Sequence, residues 1–307
     1  MELETFEITL GDTLVGHVYR YAKLTKLMFA ESYISDAKRP VLSTSFAVPG
    51  NEAATRALLS RFTQADRTGE GGKLPNFLSN ALPEGALRDR IATLAVTHRD
   101  DEFAILAACA QDLPGAVRMR AINAPDRQLM QRLVTQDQDA LEVSVVPRPI
   151  AGAVSLSGIQ PKLQLSKDAK GRYTFVAKRG RQHFIGKLPA PSYAGLPEVE
   201  FASMQLARAA GVNTADCELV PMQQIDGEID LPHGNGAYFL SVKRFDRDAP
   251  SEHAGFTRAG RLHMEDFCQV LAMHAQQNTR AVICRSWRCS RAWGAMRMWR
   301  SWCAAWW

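Results

Sequence analysis

The sequence contains no run of apolar residues near the ~20 that a membrane-spanning helix requires. Its first residues, Met1-Glu2-Leu3-Glu4, lack the basic-then-apolar order of a secretory signal. The expectation is therefore a cytoplasmic protein with no membrane association. The six cysteines form no CxxC pair, which argues against a structural zinc site and a secreted disulfide framework. The seven histidines include no HxxxH and no HExxH. There is no GxSxG elbow and no Walker phosphate loop. Tryptophan is absent before Trp287, lysine after Lys243, and acid after Asp266.

What is present is a chain of 307 residues, 46% hydrophobic and 22% charged, which excludes a disordered or collagen-like polymer. That length suggests about two domains. The net charge of +5 would normally invite a nucleic-acid role. Its distribution argues otherwise. Six arginines lie after Asn278, so the body before them holds 31 basic and 32 acidic residues. A neutral body offers no basic face for a phosphate backbone, and no direct nucleic-acid contact is expected. The final segment, 278–307, carries all six tryptophans and three of the six cysteines. It can be a membrane-surface or RNA-binding tail, a Trp-striped helix, or translation out of frame. The lack of either helical or strand periodicity favours the last.

The pattern along the chain predicts alternating types of element. Phe6–Leu10, a Gly11-Asp12 turn and Leu14–Tyr19 read as a hairpin. Phe29–Tyr33 and Leu42–Phe46 are further strand candidates, and residues 64–73 are expected to be a flexible loop. Helices are predicted over Ala86–Thr97 and Asp101–Ala110. The Pro-spotted stretch 121–150 reads as a linker. Strands follow at Ala153–Leu156, Lys162–Leu165, Tyr173–Ala177, Phe184–Leu188, Cys217–Val220 and Tyr238–Val242. A helix is expected over Pro197–Gly211, with Pro near its start and Gly past its end, and another from Met264 to about His274.

Three segments carry candidate chemistry. Ser155-Leu156-Ser157-Gly158-Ile159-Gln160-Pro161-Lys162 is a small-residue turn between strands. Such a turn brings backbone N–H groups close to phosphate oxygens, and equally often forms a plain hairpin. Lys187 lies in an apolar strand, where it either meets an anion or snorkels from an edge. Glu200 follows on a helix, and a strand lysine paired with a helix glutamate is how kinase folds hold α- and β-phosphates. The alternative is a solvated helix face. Ser241–Arg247 closes a strand with alternating charge around Phe245. Phe245 is either a ring-packing surface or a core residue, and Arg244–Asp246 a surface pair of little energetic weight. His263 and Glu265 are expected to cap a helix, and Asp226, Glu228 and Asp230 lack a calcium loop's length.

Taken in order, SLSGIQPKL, HFIGKLP, the helix with Glu198–Phe201, SVKRFDR and RLHMEDFCQ resemble the HipA family. These are bacterial serine/threonine kinases that act as toxins of type II toxin–antitoxin systems. GDTLVGHV, VLSTSFAVPG, FLSNALPEGALRDRIA and AQDLPGAV resemble that family's N-terminal part. The resemblance implies an α+β fold. Residues 1–120 would form the N-terminal subdomain, 121–150 a linker, and 151–277 a kinase-like small lobe with the start of an incomplete helical large lobe. It also implies that Ser155 is an autophosphorylated loop serine, with Gly158, Gln160 and Lys162 in the same nucleotide-covering loop. Lys187 would contact phosphate, Glu200 would hold Lys187, and Lys243 and Phe245 would hold adenine at the hinge. ATP and Mg2+ are the implied cofactors, a protein serine the substrate, and a HipB-like DNA-binding antitoxin the partner.

The implied catalytic-loop and metal-binding aspartates would lie beyond Asp266, where this chain has no acid. The likeness is expected to stop near Gln277, as in a truncated or frameshifted member that retains only antitoxin or nucleotide binding. Val270 and Leu271 would then be left exposed.

Overall fold

The computed structural model describes residues 2–21, 24–61, 67–122, 142–143, 155–156, 158, 160–175, 182–247 and 260–275. The architecture is α+β, in two compact units. One holds the described residues up to Leu82, those from Ile91 to Ser155 and those from His263 onward. The other holds Pro83–Arg90 and Leu156–Leu262.

The first unit is built on a sheet of β1 (Glu2–Leu10), β2 (Thr13–Tyr21), β3 (Leu24–Phe29), β4 (Thr68–Gly69), β5 (Val117–Ala121) and β6 (Glu142–Val143). Its order is β4-β3-β2-β1-β5, and β6, inside the stretch expected as linker, pairs parallel with β1. The expected hairpin is present: β1 and β2 pair antiparallel around Gly11-Asp12. Alternation along β1 buries Phe6, Ile8 and Leu10 on one face.

Two strand candidates take other forms. After Phe29 the chain turns into the short helix α1 (Glu31–Ser35), which buries Tyr33 and Ile34. Leu42–Phe46 becomes a single 3-10 turn at Thr44–Phe46, because the Ser43 side chain accepts the Ser45 N–H at 3.2 Å. The expected loop 64–73 also differs where it is described. Arg67 is 2% exposed. Its guanidinium donates to the carbonyls of Leu58, Leu59 and Arg61, capping the end of α2 (Glu52–Leu59), and lies over the rings of Phe29 and Phe46.

The remaining helices here are α3 (Asn76–Ser79), α4 (Gly85–Leu94) and α5 (Glu102–Cys109). α4 runs across the division between the units, and both longer helices match the sequence expectation. Every residue of α5 is buried, as an all-round apolar helix requires. Asp101 caps it by accepting the Ala104 N–H at 3.0 Å. Burial pushes the Cys109 thiol up to about 12, in keeping with an inert core cysteine.

The second unit is a sheet of β7 (Lys162–Lys167), β8 (Tyr173–Thr174), β9 (Gln182–Lys187), β10 (Cys217–Pro221), β11 (Ile225–Asp226) and β12 (Tyr238–Lys243), in the order β10-β12-β9-β7-β8-β11. Ala153 and Val154 of the expected strand Ala153–Leu156 lie outside the described residues, and Ser155 and Leu156 are not in a strand. Between β9 and β10 runs α6 (Leu196–Ala209), with Pro197 in its first turn. Its inner face packs Phe201 and Met204 on Leu240 and Val242 of β12. Gly186 has no side chain to block Leu165, whose Cδ1 would lie 2.5 Å from a Cβ there. The three acids once compared with a calcium loop are ordinary surface groups: Asp226 pairs with Arg172 and Asp230 with Arg90.

The segment His263–Ala275 belongs with the first unit. Its expected long helix is one turn, α7 (Phe267–Val270), closed by Ala272 at φ 53°. The cap is Asp266, whose carboxylate accepts the Gln269 N–H while Gln269 reaches back to the Asp266 N–H. Glu265 is not the cap. It accepts from the Ser43 hydroxyl and from the Thr44 N–H and hydroxyl. Asn76 and Asn80 donate to the carbonyls of Ala272 and Met273. Val270 and Leu271 are half-buried rather than exposed.

Candidate functional site

β9 lies inside its sheet, between β12 and β7. Its last residue, Lys187, is paired with Leu240 of β12 on one side and with Lys162, the first residue of β7, on the other. Two ammonium groups opposed across a strand pair repel each other, so the arrangement needs anions nearby. Two carboxylates supply them. Lys187 Nζ pairs with Glu200 Oε1 of α6, and the two side chains are 17% and 11% exposed. Glu84, just before α4, accepts the N–H of Gly158, which lies against Lys162 Nζ, and its charge favours the Lys162 ammonium.

Lys162 is buried. Burial first, and Lys187 second, push its ammonium down to about 8, against the opposing pull of Glu84 and Glu200. Compared with the ordinary 10.5, this is about 3 kcal/mol against the charged form. The folded value lies below the unfolded one, so the unfolded chain holds the extra proton between them. Stability is therefore expected to rise as pH climbs from about 8 towards 10.5. A chain labelled with 13C at lysine Cε should show one lysine with its midpoint near 8, lost in K162M. A spectrum in which every lysine titrates above 10 contradicts this environment.

The loop before β7 is tied down around these charges. Gly158 has φ 96°, a conformation that a side chain resists, and a Cβ there would fall 2.5 Å from Lys162 Nζ. Its N–H donates to Glu84 Oε2 at 3.0 Å. Gln160 Nε2 donates to the Leu188 carbonyl at 3.2 Å, and the Leu188 N–H to the Pro161 carbonyl at 2.8 Å. Seven of the expected site residues thus lie in one unit, with Gly158, Gln160, Lys162, Lys187 and Glu200 around these charges and Lys243 and Phe245 further along the sheet. Ser155 groups with the first unit. It is 1% exposed, its hydroxyl donates to the Ala81 carbonyl and its N–H to the Asp112 carbonyl.

Lys243 pairs with Phe184, further along β9 from Lys187. β12 is buried continuously from Phe239 to Val242, and exposure alternates only from its end onward: Lys243 and Phe245 are exposed, and Arg244 and Asp246 are buried. The core reading of Phe245 is therefore wrong, as is the surface reading of the pair. Arg244 grips Asp246 through two hydrogen bonds of 2.9 Å, and Arg247 Nη1 adds a third at 2.7 Å. Arg244 Nη1 also reaches Gln164 Oε1 of β7 at 3.5 Å. This buried cluster fixes the strand exit that presents Lys243 and Phe245.

Sequence reasoning missed Glu84, because its contact spans 74 residues and no local pattern marks it. It also missed the Asp246 cluster, where charge alternation looked like a solvated strand end. A phosphate suits what is present: two cations, a glycine turn and backbone N–H groups. Among the described residues no group of three or more His, Cys, Asp or Glu stands together.

The HipA N-terminal domain family matches residues 6–120, and the HipA-like C-terminal domain family matches residues 154–301. The second match runs past Gln277, where the likeness was expected to stop. The chain is 35% identical over 254 residues to the protein Y4dM of Sinorhizobium fredii, covering 81% of this chain and 54% of that protein. It is 27% identical over 281 residues to the serine/threonine-protein kinase toxin HipA of Shewanella oneidensis, covering 87% of this chain and 55% of that protein. It thus spans about half the length of both relatives. A solved complex of Shewanella oneidensis HipA, HipB and operator DNA aligns with a TM-score of 0.49 and 21% identity, over 88% of this chain and 57% of that one.

Proposed function

The chain belongs to the HipA family, and from that premise we propose that it grips the phosphates of ATP as the nucleotide-holding part of a protein serine/threonine kinase toxin. The observation that supports this best is the Lys187–Glu200 pair set opposite Lys162 beneath the Gly158 turn. Two adjacent ammonium groups gain most from a ligand carrying several negative oxygens, and Glu200 holds Lys187 extended towards it. The Lys243 backbone and the exposed Phe245 ring are proposed to receive the adenine. ATP, when bound, supplies the phosphoryl donor. Mg2+ is a family expectation, and no step is assigned to it.

Ser155 is proposed to accept phosphate only from an intact kinase of the family, in a conformation that releases its hydroxyl from Ala81. A phosphate there would add about −2 charge, which would favour keeping the loop away from a second phosphate group. The proposed partner is a HipB-like DNA-binding antitoxin, which would carry the DNA contacts that this near-neutral body lacks. For an intact kinase of the family the proposed substrate is a protein serine, reached in cytoplasmic surroundings. Among the described residues no helix is long and apolar enough to cross a membrane.

The phosphate grip is tested by calorimetric titration of the full chain with ATP and with adenosine. ATP is expected to bind at least about tenfold more tightly, because the charged contacts fall on the phosphates. Equal affinity for the two would overturn the proposal.

A further inference from the structure

Glu84 has no part in the nucleotide grip proposed above, yet it is bonded to the glycine within it. Its carboxylate accepts the Gly158 N–H at 3.0 Å, Gly158 lies against Lys162 Nζ, and the Glu84 charge favours the Lys162 ammonium. These are a backbone donor in a glycine turn and a cation, the two groups that a phosphate oxygen would seek there. Glu84 sits between Pro83 and Gly85, directly before α4, and is only partly buried. A carboxylate so placed can turn towards water without stranding a buried charge. It also remains near the helix start, which favours negative charge in either position.

We infer that Glu84 is a resident stand-in for a phosphate group, an autoinhibitory contact that nucleotide must displace to reach Gly158 and Lys162. The inference rests on the proposed phosphate grip. In the ligand-free chain the stand-in keeps the Gly158 turn in shape and offsets the positive charge of the two lysines. Its cost is affinity, since every phosphate that enters must first expel a carboxylate from the same donors.

The full chain is titrated at pH 7 and fixed ionic strength with ATP, inorganic tripolyphosphate and adenosine, as wild type, E84Q and E84D. E84Q keeps the shape and removes the competing charge. It should bind ATP and tripolyphosphate about tenfold more tightly, with adenosine unchanged. E84D retracts the charge by one methylene and should fall between the two, which keeps the test valid if E84Q melts at a lower temperature. In E84Q the Lys162 midpoint should also move further down, since Glu84 pulls it up. A wild type that prefers ATP over adenosine, with no gain in either variant, overturns the inference and leaves the phosphate grip standing. A wild type and variants that bind adenosine as well as ATP overturn the grip itself, and this inference with it.

Discussion

Replacing Lys187 with methionine will lower ATP affinity by about a hundredfold or more, the usual consequence of removing one partner from a hydrogen-bonded charge pair largely shielded from water. The same substitution strands Glu200, whose side chain is 11% exposed and whose carboxylate meets Lys187 across 13 residues of chain. Breaking a buried pair from one side costs about 3–5 kcal/mol when no water reaches it. Here both side chains retain some contact with solvent, so about 2 kcal/mol is expected. These two effects separate in a double variant. K187M/E200L removes the stranded charge and should recover most of the melting temperature, while its ATP affinity stays as low as that of K187M. Recovery of both would mean that the pair only supports the fold. Thermal denaturation and calorimetric titration of the same three proteins decide between these outcomes.

The Lys187–Glu200 pair was legible in the sequence because it is local: an apolar strand, a short loop and a helix that opens at Leu196-Pro197. The hairpin at Gly11 was legible for the same reason, since period-2 alternation is written in consecutive residues. Helices α4, α5 and α6 showed in their apolar residues, α5 also in its Asp101 cap and α6 in its Pro197 start. Short elements did not. The chain from Glu31 to Ser35 is too brief for a helical period to show, and the 3-10 turn at Thr44 depends on one serine hydroxyl. Arg67 looked like part of a glycine-rich loop, because its partners at Leu58, Leu59 and Arg61 are backbone carbonyls that leave no trace in composition. Glu84 was hidden by distance along the chain. Glu265 was misassigned because its true partners, Ser43 and Thr44, lie 221 or more residues away. The Arg244–Asp246 pair was undervalued because alternation alone does not say which face of a strand end turns inward.

The second large effect is an absence of chemistry. Incubated with labelled ATP, the chain is expected to hold the nucleotide and to transfer none of it. Phosphoryl transfer needs a carboxylate to orient the accepting hydroxyl, and further carboxylates to hold the metal that neutralises the migrating charge. Residues 267–307 hold no Asp or Glu to serve in those roles. Asp266 itself is engaged as the cap of α7, and Glu265 is bound to Ser43 and Thr44. Ser155, the proposed acceptor, is buried against Ala81. Without these groups the expected loss against an intact kinase site is several orders of magnitude.

The decisive measurement is one sample of the full chain mixed with γ-labelled ATP, Mg2+ and a serine-containing protein substrate, then divided before and after denaturation. Ahead of denaturation, label should co-elute with wild-type chain and not with K187M; afterwards none should remain on protein. Denaturation-resistant, Mg2+-dependent label on Ser155 or on the substrate would contradict the account, as would retention that ignores Lys187.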